Sequence, residues 1–221
     1  MEISNREVLR YLKMGGAAAD ERISTIIKEI IGILATNTAP KNVYGIWDCR
    51  LSSPAVPDVV PDALIIDGMT VKSRSLAKHL TGCRCVVLLA ATLGTEADTL
   101  IRRYSVQEME KAVIAQAVCA AMIEAYCEEI ECEIRKKPQV SGFCPTTRFS
   151  PGYGDFDIAH QKDIVRLLNC DRRIGLTLTD GYMLIPSKSV TAVIGFSEEK
   201  THNEGKCKRC AEKLCEFREL S

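Results

Sequence analysis

Arg148-Phe149-Ser150-Pro151-Gly152-Tyr153 is the stretch on which the reading of this chain turns. It sets a fork-shaped cation, a proline, a glycine and a phenol side by side, between a long helical pattern before it and a helix-then-hairpin pattern after it. A guanidinium presents two parallel donors to a carboxylate or phosphate, and glycine lets backbone approach a ligand closely. An Arg beside a Pro-Gly turn also describes an ordinary surface loop, so the flanking segments have to decide.

Upstream, residues 105–137 contain neither Gly nor Pro, which predicts one helix roughly 45–50 Å long. A capping box, Ser105-Val106-Gln107-Glu108, is expected to open it, and Lys136-Lys137-Pro138 to end it. Between Ala112 and Tyr126 only Gln116 and Glu124 are polar, so the middle of the helix is enclosed. Glu124 is then either paired or facing a cavity, because an unpaired buried carboxylate is costly. The alternative is that it turns onto a solvent face shared with Glu128 and Glu131.

Further out, residues 83–93 are apolar after Arg84 and predict a strand buried on both faces. Thr95-Glu96-Ala97-Asp98 reads as the cap of the helix that follows. Asp67-Gly68 and Asp180-Gly181 are hairpin turns between short apolar runs. Residues 4–13, 18–34, 73–80 and 157–168 read as helices, the last capped by Asp155 or Asp157. Residues 43–49 and 190–196 read as strands, and 51–61, with three prolines, as a loop. These elements predict an α/β (α+β) fold: a twisted, largely antiparallel sheet built from the two Asp-Gly hairpins and the 83–93 strand. One long helix and several shorter ones would pack on it. Residues 1–198 form the domain and 199–221 a separate tail.

Composition limits the function. The chain has 221 residues, 46% hydrophobic and 26% charged, with 29 acidic residues against 29 Lys and Arg. Zero net charge argues against a dominant nucleic-acid surface. No apolar run approaches the ~20 residues of a membrane span, and the charged N-terminus predicts no export. Eleven cysteines, several at core-like positions, fit a reduced, cytoplasmic protein better than a disulfide framework. Three of them, Cys207, Cys210 and Cys215, lie in the polar tail with C-x2-C spacing, which suits zinc or an Fe–S cluster. Cys144 or His202 would be the fourth ligand; a redox dithiol or plain thiols are the other readings. His160 reads as a surface or capping residue. No nucleophile triad and no HExxH, Walker A or GxGxxG pattern occurs.

From Arg148 to Phe196 the sequence resembles the activation domain of cobalamin-dependent methionine synthase. The resemblance is carried by Arg148, Gly152 and Tyr153 (Arg-x-x-x-Gly-Tyr), Leu167-Leu168, Leu178-Thr179-Asp180, and Pro186, Ser189 and Val190 (Pro-x-x-Ser-Val). It implies S-adenosylmethionine (AdoMet) binding, with Glu124, Arg148, Ser150, Pro151, Gly152 and Tyr153 as contacts. Arg148 would take the ligand carboxylate, and Glu124 would oppose its ammonium or sulfonium charge. It also implies a free-standing component of a methyltransferase system, with no catalytic acid or base. Such a component supports reductive methylation of inactive cobalamin held in trans by a methionine synthase or other corrinoid protein. A flavodoxin-like or other low-potential donor would supply the electron. The family's later tyrosine has no counterpart here; the cysteine tail stands in its place. The rival readings are a non-catalytic accessory of a corrinoid protein, and a redox or metal protein acting through the tail.

Overall fold

The computed structural model describes residues 3–14, 20–52 and 62–198. Helices α1 (Asn5–Tyr11) and α2 (Glu21–Asn37) lead into β1 (Lys41–Asp48) and β2 (Arg50–Leu51). Then come β3 (Ala63–Ile66), β4 (Met69–Lys72), α3 (Arg74–His79), β5 (Cys83–Thr92), α4 (Thr95–Gln107) and α5 (Met109–Ile134). Beyond β6 (Cys144–Pro145) lie a 3-10 turn (Ile158–His160), α6 (Gln161–Leu167) and α7 (Cys170–Ile174). Strands β7 (Thr177–Leu178), β8 (Leu184–Ile185) and β9 (Ser189–Ser197) complete the described chain.

The main sheet has the order β1-β5-β9-β6 and is antiparallel throughout. Strand β5 sits inside it and alternates strictly. Val87, Leu89 and Ala91 enter a core with α5 and the N-terminal helices, while Val86, Leu88 and Ala90 enter a second core with α3, α6 and α7. A strand covered on both faces must be apolar at every step, which is why residues 83–93 read so clearly.

The antiparallel α+β class is as expected, but the sheet is assembled differently. The first Asp-Gly hairpin forms residue for residue as β3–β4, yet it joins β2 in a separate three-stranded sheet. The second shrinks to two short strands, β7–β8, in a sheet of their own. The partners of β5 are β1 and β9 instead. Hairpin turns fix local pairing only; which edge a hairpin joins is settled by burial of its faces.

Two caps also differ. Gly94, at φ 90°, precedes α4 with no side-chain cap, so the Thr95 box does not form. The Ser105 hydroxyl donates to Ile101 O inside α4 at 2.8 Å rather than capping a new helix. The long helix, α5, therefore opens at Met109 rather than at Ser105, and α4 runs on to Gln107; the extended backbone of Glu108 (φ −150°, ψ 88°) separates them. Helix α5 has 26 residues, about 39 Å. Asp157 caps the 3-10 turn, accepting from Ala159 N at 2.8 Å, and Asp155 has another task.

Candidate functional site

Beyond β6 the chain continues along the free edge of β9. Thr146 N donates to Gly195 O at 2.8 Å, and Phe149 and Val193 exchange both backbone bonds (2.9 and 2.8 Å). Between the pairs Pro145–Phe196 and Phe149–Val193, three residues (146–148) oppose two (194–195). One extra residue is a bulge, and bulges re-aim side chains. Here Arg148 is turned toward α5 while Phe149 enters the opposite core.

Arg148 ends between two carboxylates of α5. Nη2 donates to Glu124 Oε2 at 2.6 Å, and Nη1 donates to Glu131 Oε1. Glu124 and Glu131 are seven residues apart, two helical turns, so both project from one face. The Arg148 side chain is 11% exposed, Glu131 14% and Glu124 39%. Burial works against the guanidinium charge, but the Glu131 and Glu124 carboxylates outweigh it and hold the arginine firmly protonated. The Glu128 carboxyl, beside them, is pushed up by burial. Glu131 Oε2 also lies 3.9 Å from Arg135 Nη2, so Glu131 is shared between two arginines, while Glu124 pairs with Arg148 at the cavity.

The turn that follows is fixed from inside. Gly152 has φ 95°, and a Cβ there would lie 3.2 Å from Ile158 Cδ1. Its N–H donates to Phe156 O at 2.7 Å. Phe156 is buried, with its ring stacked near Phe149 at 6.2 Å between centroids. Asp155 then reaches α3. Its carboxylate accepts from the Ser73 hydroxyl at 2.6 Å, from Arg74 N at 2.9 Å and from Ser75 N at 3.0 Å. The Ser73 and Ser75 bonds hold its carboxyl well below the usual carboxylate range. His79 Nε2 donates to Thr147 O at 2.7 Å, tying the far end of α3 to the same segment.

These ties enclose a cavity of about 910 Å³ at the edge of the main sheet. Glu124, Arg148, Ser150, Pro151 and Tyr153 line it. Gly152 does not line it but sets the turn. Ser75, Lys78 and His79 from α3, Gln161 from α6, and Ser189, Val190 and Thr191 from β9 complete the wall. Gln161 is fixed at both ends: its Nε2 donates to Tyr182 O at 2.9 Å and its Oε1 accepts from the Thr191 hydroxyl at 3.1 Å. Tyr153, 68% exposed, stands at the rim.

The guanidinium expected to meet a ligand carboxylate thus meets two of the chain's own. Glu131, read as a solvent residue beside Glu128, points inward. His160 stays out of the cavity, its Nδ1 2.9 Å from Asp163 Oδ2. Sequence reasoning offered Asp155 only as a helix cap and missed its bonds to α3 and the α3 face itself; Lys78-His79 carries no signal beyond two polar residues at a helix end. Cys207, Cys210, Cys215 and His202 lie outside the described residues. Among the described residues no group of three or more His, Cys, Asp or Glu could hold a metal, and no helix is long and apolar enough to cross a membrane.

A helix-backed antiparallel sheet whose edge strand borders a ligand-sized cleft defines an α+β domain with a small-molecule cavity. Residues 76–213 match the family described as vitamin B12 dependent methionine synthase, activation domain, and the chain belongs to that family. The fold is also that of the MetH reactivation domain, seen in a crystal structure bound to AdoHcy: TM-score 0.60 at 15% identity, over 90% of this chain and 78% of that one. No curated protein matches the chain by sequence.

Proposed function

We propose that the cavity binds AdoMet and presents its methyl group to the cobalamin of a methionine synthase or related corrinoid protein, returning inactive cobalamin to the methylated state. The observation that carries this is the Glu124 carboxylate, held by Arg148 on the wall of a cavity of ligand size. A carboxylate on the wall offers a partner to a sulfonium or ammonium. The supporting context is the family of the chain and its likeness to a domain that binds AdoHcy.

The chemistry comes from the bound groups: AdoMet carries an electrophilic methyl on sulfur, and the partner's cobalamin, reduced by one electron from a flavodoxin-like or other low-potential donor, supplies the nucleophile. The residues of this chain bind and orient. Glu124 faces the ligand's positive charge, and Arg148 holds Glu124 in place. Ser150 and Pro151 offer backbone to the adenine edge, and Gly152 makes the turn that brings them there. Tyr153 gives an aromatic rim. None of these roles needs a proton to move.

The test is label transfer. A cobalamin protein in its oxidised, inactive form is mixed with a low-potential reductant and AdoMet carrying an isotopic methyl group. Label should reach the cobalamin only when this chain is present and should fall with Glu124→Gln. Transfer that proceeds equally without the chain would defeat the proposal.

A further inference from the structure

We propose that the main chain of Thr191, on the open edge of β9, reads the adenine ring of the bound methyl donor. The inference rests on the AdoMet reading and goes beyond it, because it adds a recognition element outside the Arg148–Tyr153 turn.

A rung is missing from the ladder. In a strand the N–H and C=O of one residue point to the same side, and that side alternates at each step. Val193 exchanges both of its bonds with Phe149, and Gly195 O accepts from Thr146 N, so the odd-numbered residues of β9 address the edge away from β5. Just before β9, Lys188 O accepts from Leu93 N on the β5 side, in keeping with the same alternation. Thr191 is therefore aimed outward as well. It lies two residues back from Val193, and the residue two on from Phe149 is Pro151, which would be its partner in that register. Proline has no N–H to give, and it ends a ladder. The chain leaves β9 there, turning through Gly152 at φ 95°. Among the described residues nothing pairs with the Thr191 N–H or C=O.

The open rung is buried and belongs to the cavity. Thr191 is 3% exposed and lines the cavity wall. A buried main-chain N–H and C=O are almost always paired, so the occupant of the cavity has to satisfy these two. The parts of the ligand differ in what they offer. A carboxylate only accepts and an ammonium only donates, while a ribose hydroxyl does either without a fixed plane. Adenine sets its exocyclic amine beside a ring-nitrogen acceptor in one plane, which complements an N–H and a C=O side by side on a strand edge. The surroundings agree. The ion pair on the cavity wall is Glu124 with Arg148, toward α5. Thr191 sits instead beside the neutral Gln161 amide, which fixes the strand edge by accepting from the Thr191 hydroxyl and donating to Tyr182 O. The amino-acid end of the donor thus belongs at Glu124 and Arg148, and its adenine at Thr191. Ser150 and Pro151 border the same gap, so the ring stands between the two segments where the next rung would have formed.

A main-chain contact cannot be deleted by substitution, so the ligand is varied. The isotope-labelled full chain is titrated with AdoMet, AdoHcy and S-inosylhomocysteine, followed by NMR and calorimetry. In the inosyl ligand an oxygen replaces the exocyclic amine and the neighbouring ring nitrogen carries a proton, which reverses donor and acceptor. AdoMet and AdoHcy should move the Thr191 amide proton downfield, and by more than that of Ala192, which is already bonded to β5. S-inosylhomocysteine should bind roughly tenfold or more weakly than AdoHcy, because two ordinary hydrogen bonds are lost together. A Thr191 amide unmoved at saturating AdoHcy, as for a rung served by solvent, would overturn the inference and leave the AdoMet reading standing. Equal affinity for the two homocysteine ligands would do the same. Binding of neither AdoMet nor AdoHcy would instead remove the AdoMet reading, and this inference with it.

Discussion

Replacing Arg148 by Met keeps the aliphatic stem and removes the charge between Glu131 and Glu124. Glu124 then loses its partner and Glu131 keeps Arg135, 3.9 Å away and half exposed, with Glu128 close by. Removing one member of a buried pair costs about 3–5 kcal/mol. The Glu124 limb must be discounted, because its side chain is 39% exposed and solvent screens such pairs to about 0–1 kcal/mol. The Glu131 limb, at 11% and 14% exposure, carries most of the effect. We therefore expect a loss of about 2–4 kcal/mol from one limb's share of those ranges. For a chain of this size that is a fall in melting temperature of roughly 5–15 °C. Urea denaturation and thermal melts at pH 7 measure it. The like charges repel only while ionised, so acidification should narrow the gap to wild type, and adding Glu131→Gln should restore part of the stability. A variant melting within about 1 °C of wild type, or a gap that widens in acid, would refute the reasoning behind these magnitudes.

Gly152→Ala should cost about 1–3 kcal/mol, because φ 95° is strained for any side chain and the new Cβ meets Ile158; denaturant midpoints will show it, and an unchanged midpoint counts against the strained turn. Asp155→Ala should loosen the loop from α3. The folded carboxyl is held well below its ordinary value, so its stabilisation is full above the unfolded pKa of ~3.9, shrinks as pH falls through it, and is gone only below the folded pKa. The gap between wild-type and variant stability should begin to narrow below about pH 4 and still be present at about pH 3; a gap that does not change between about pH 6 and about pH 2 contradicts that assignment. Metal and sulfide analysis of anaerobically purified protein should find zinc or iron that a Cys207/Cys210/Cys215 triple-serine variant loses; content unchanged by the variant removes the metal reading of the tail.

The elements legible in the sequence are those with one dominant local cause. Asp67-Gly68 fixed β3–β4 to the residue, because a two-residue turn sets register by itself. The apolar run after Arg84 announced a strand with two buried faces. Failures came where local patterns competed. Thr95 and Ser105 both matched capping boxes, yet a glycine at φ 90° and a break at Glu108 took over. The hairpins could not reveal which sheet they join, since their own pairing is satisfied either way. Within the site, an isolated glutamate in an apolar helix left Glu124 either paired or turned to solvent; it pairs with Arg148 and keeps part of its side chain exposed. The spacing from Glu124 to Glu131, two turns on one face, held the second half of that answer. Asp155 carried no such mark. Its three bonds go to residues 80–82 positions away, and no local pattern encodes a contact at that distance.

Direct titration of the chain with AdoMet in a calorimeter puts the central claim to the test. One site per chain is predicted, weakened at least tenfold by Glu124→Gln, which removes the charge facing the sulfonium while keeping shape; the factor follows from losing one charge-assisted contact of about 1.5–3 kcal/mol. Absence of binding by a folded wild-type chain, or binding that Glu124→Gln leaves untouched, would contradict it.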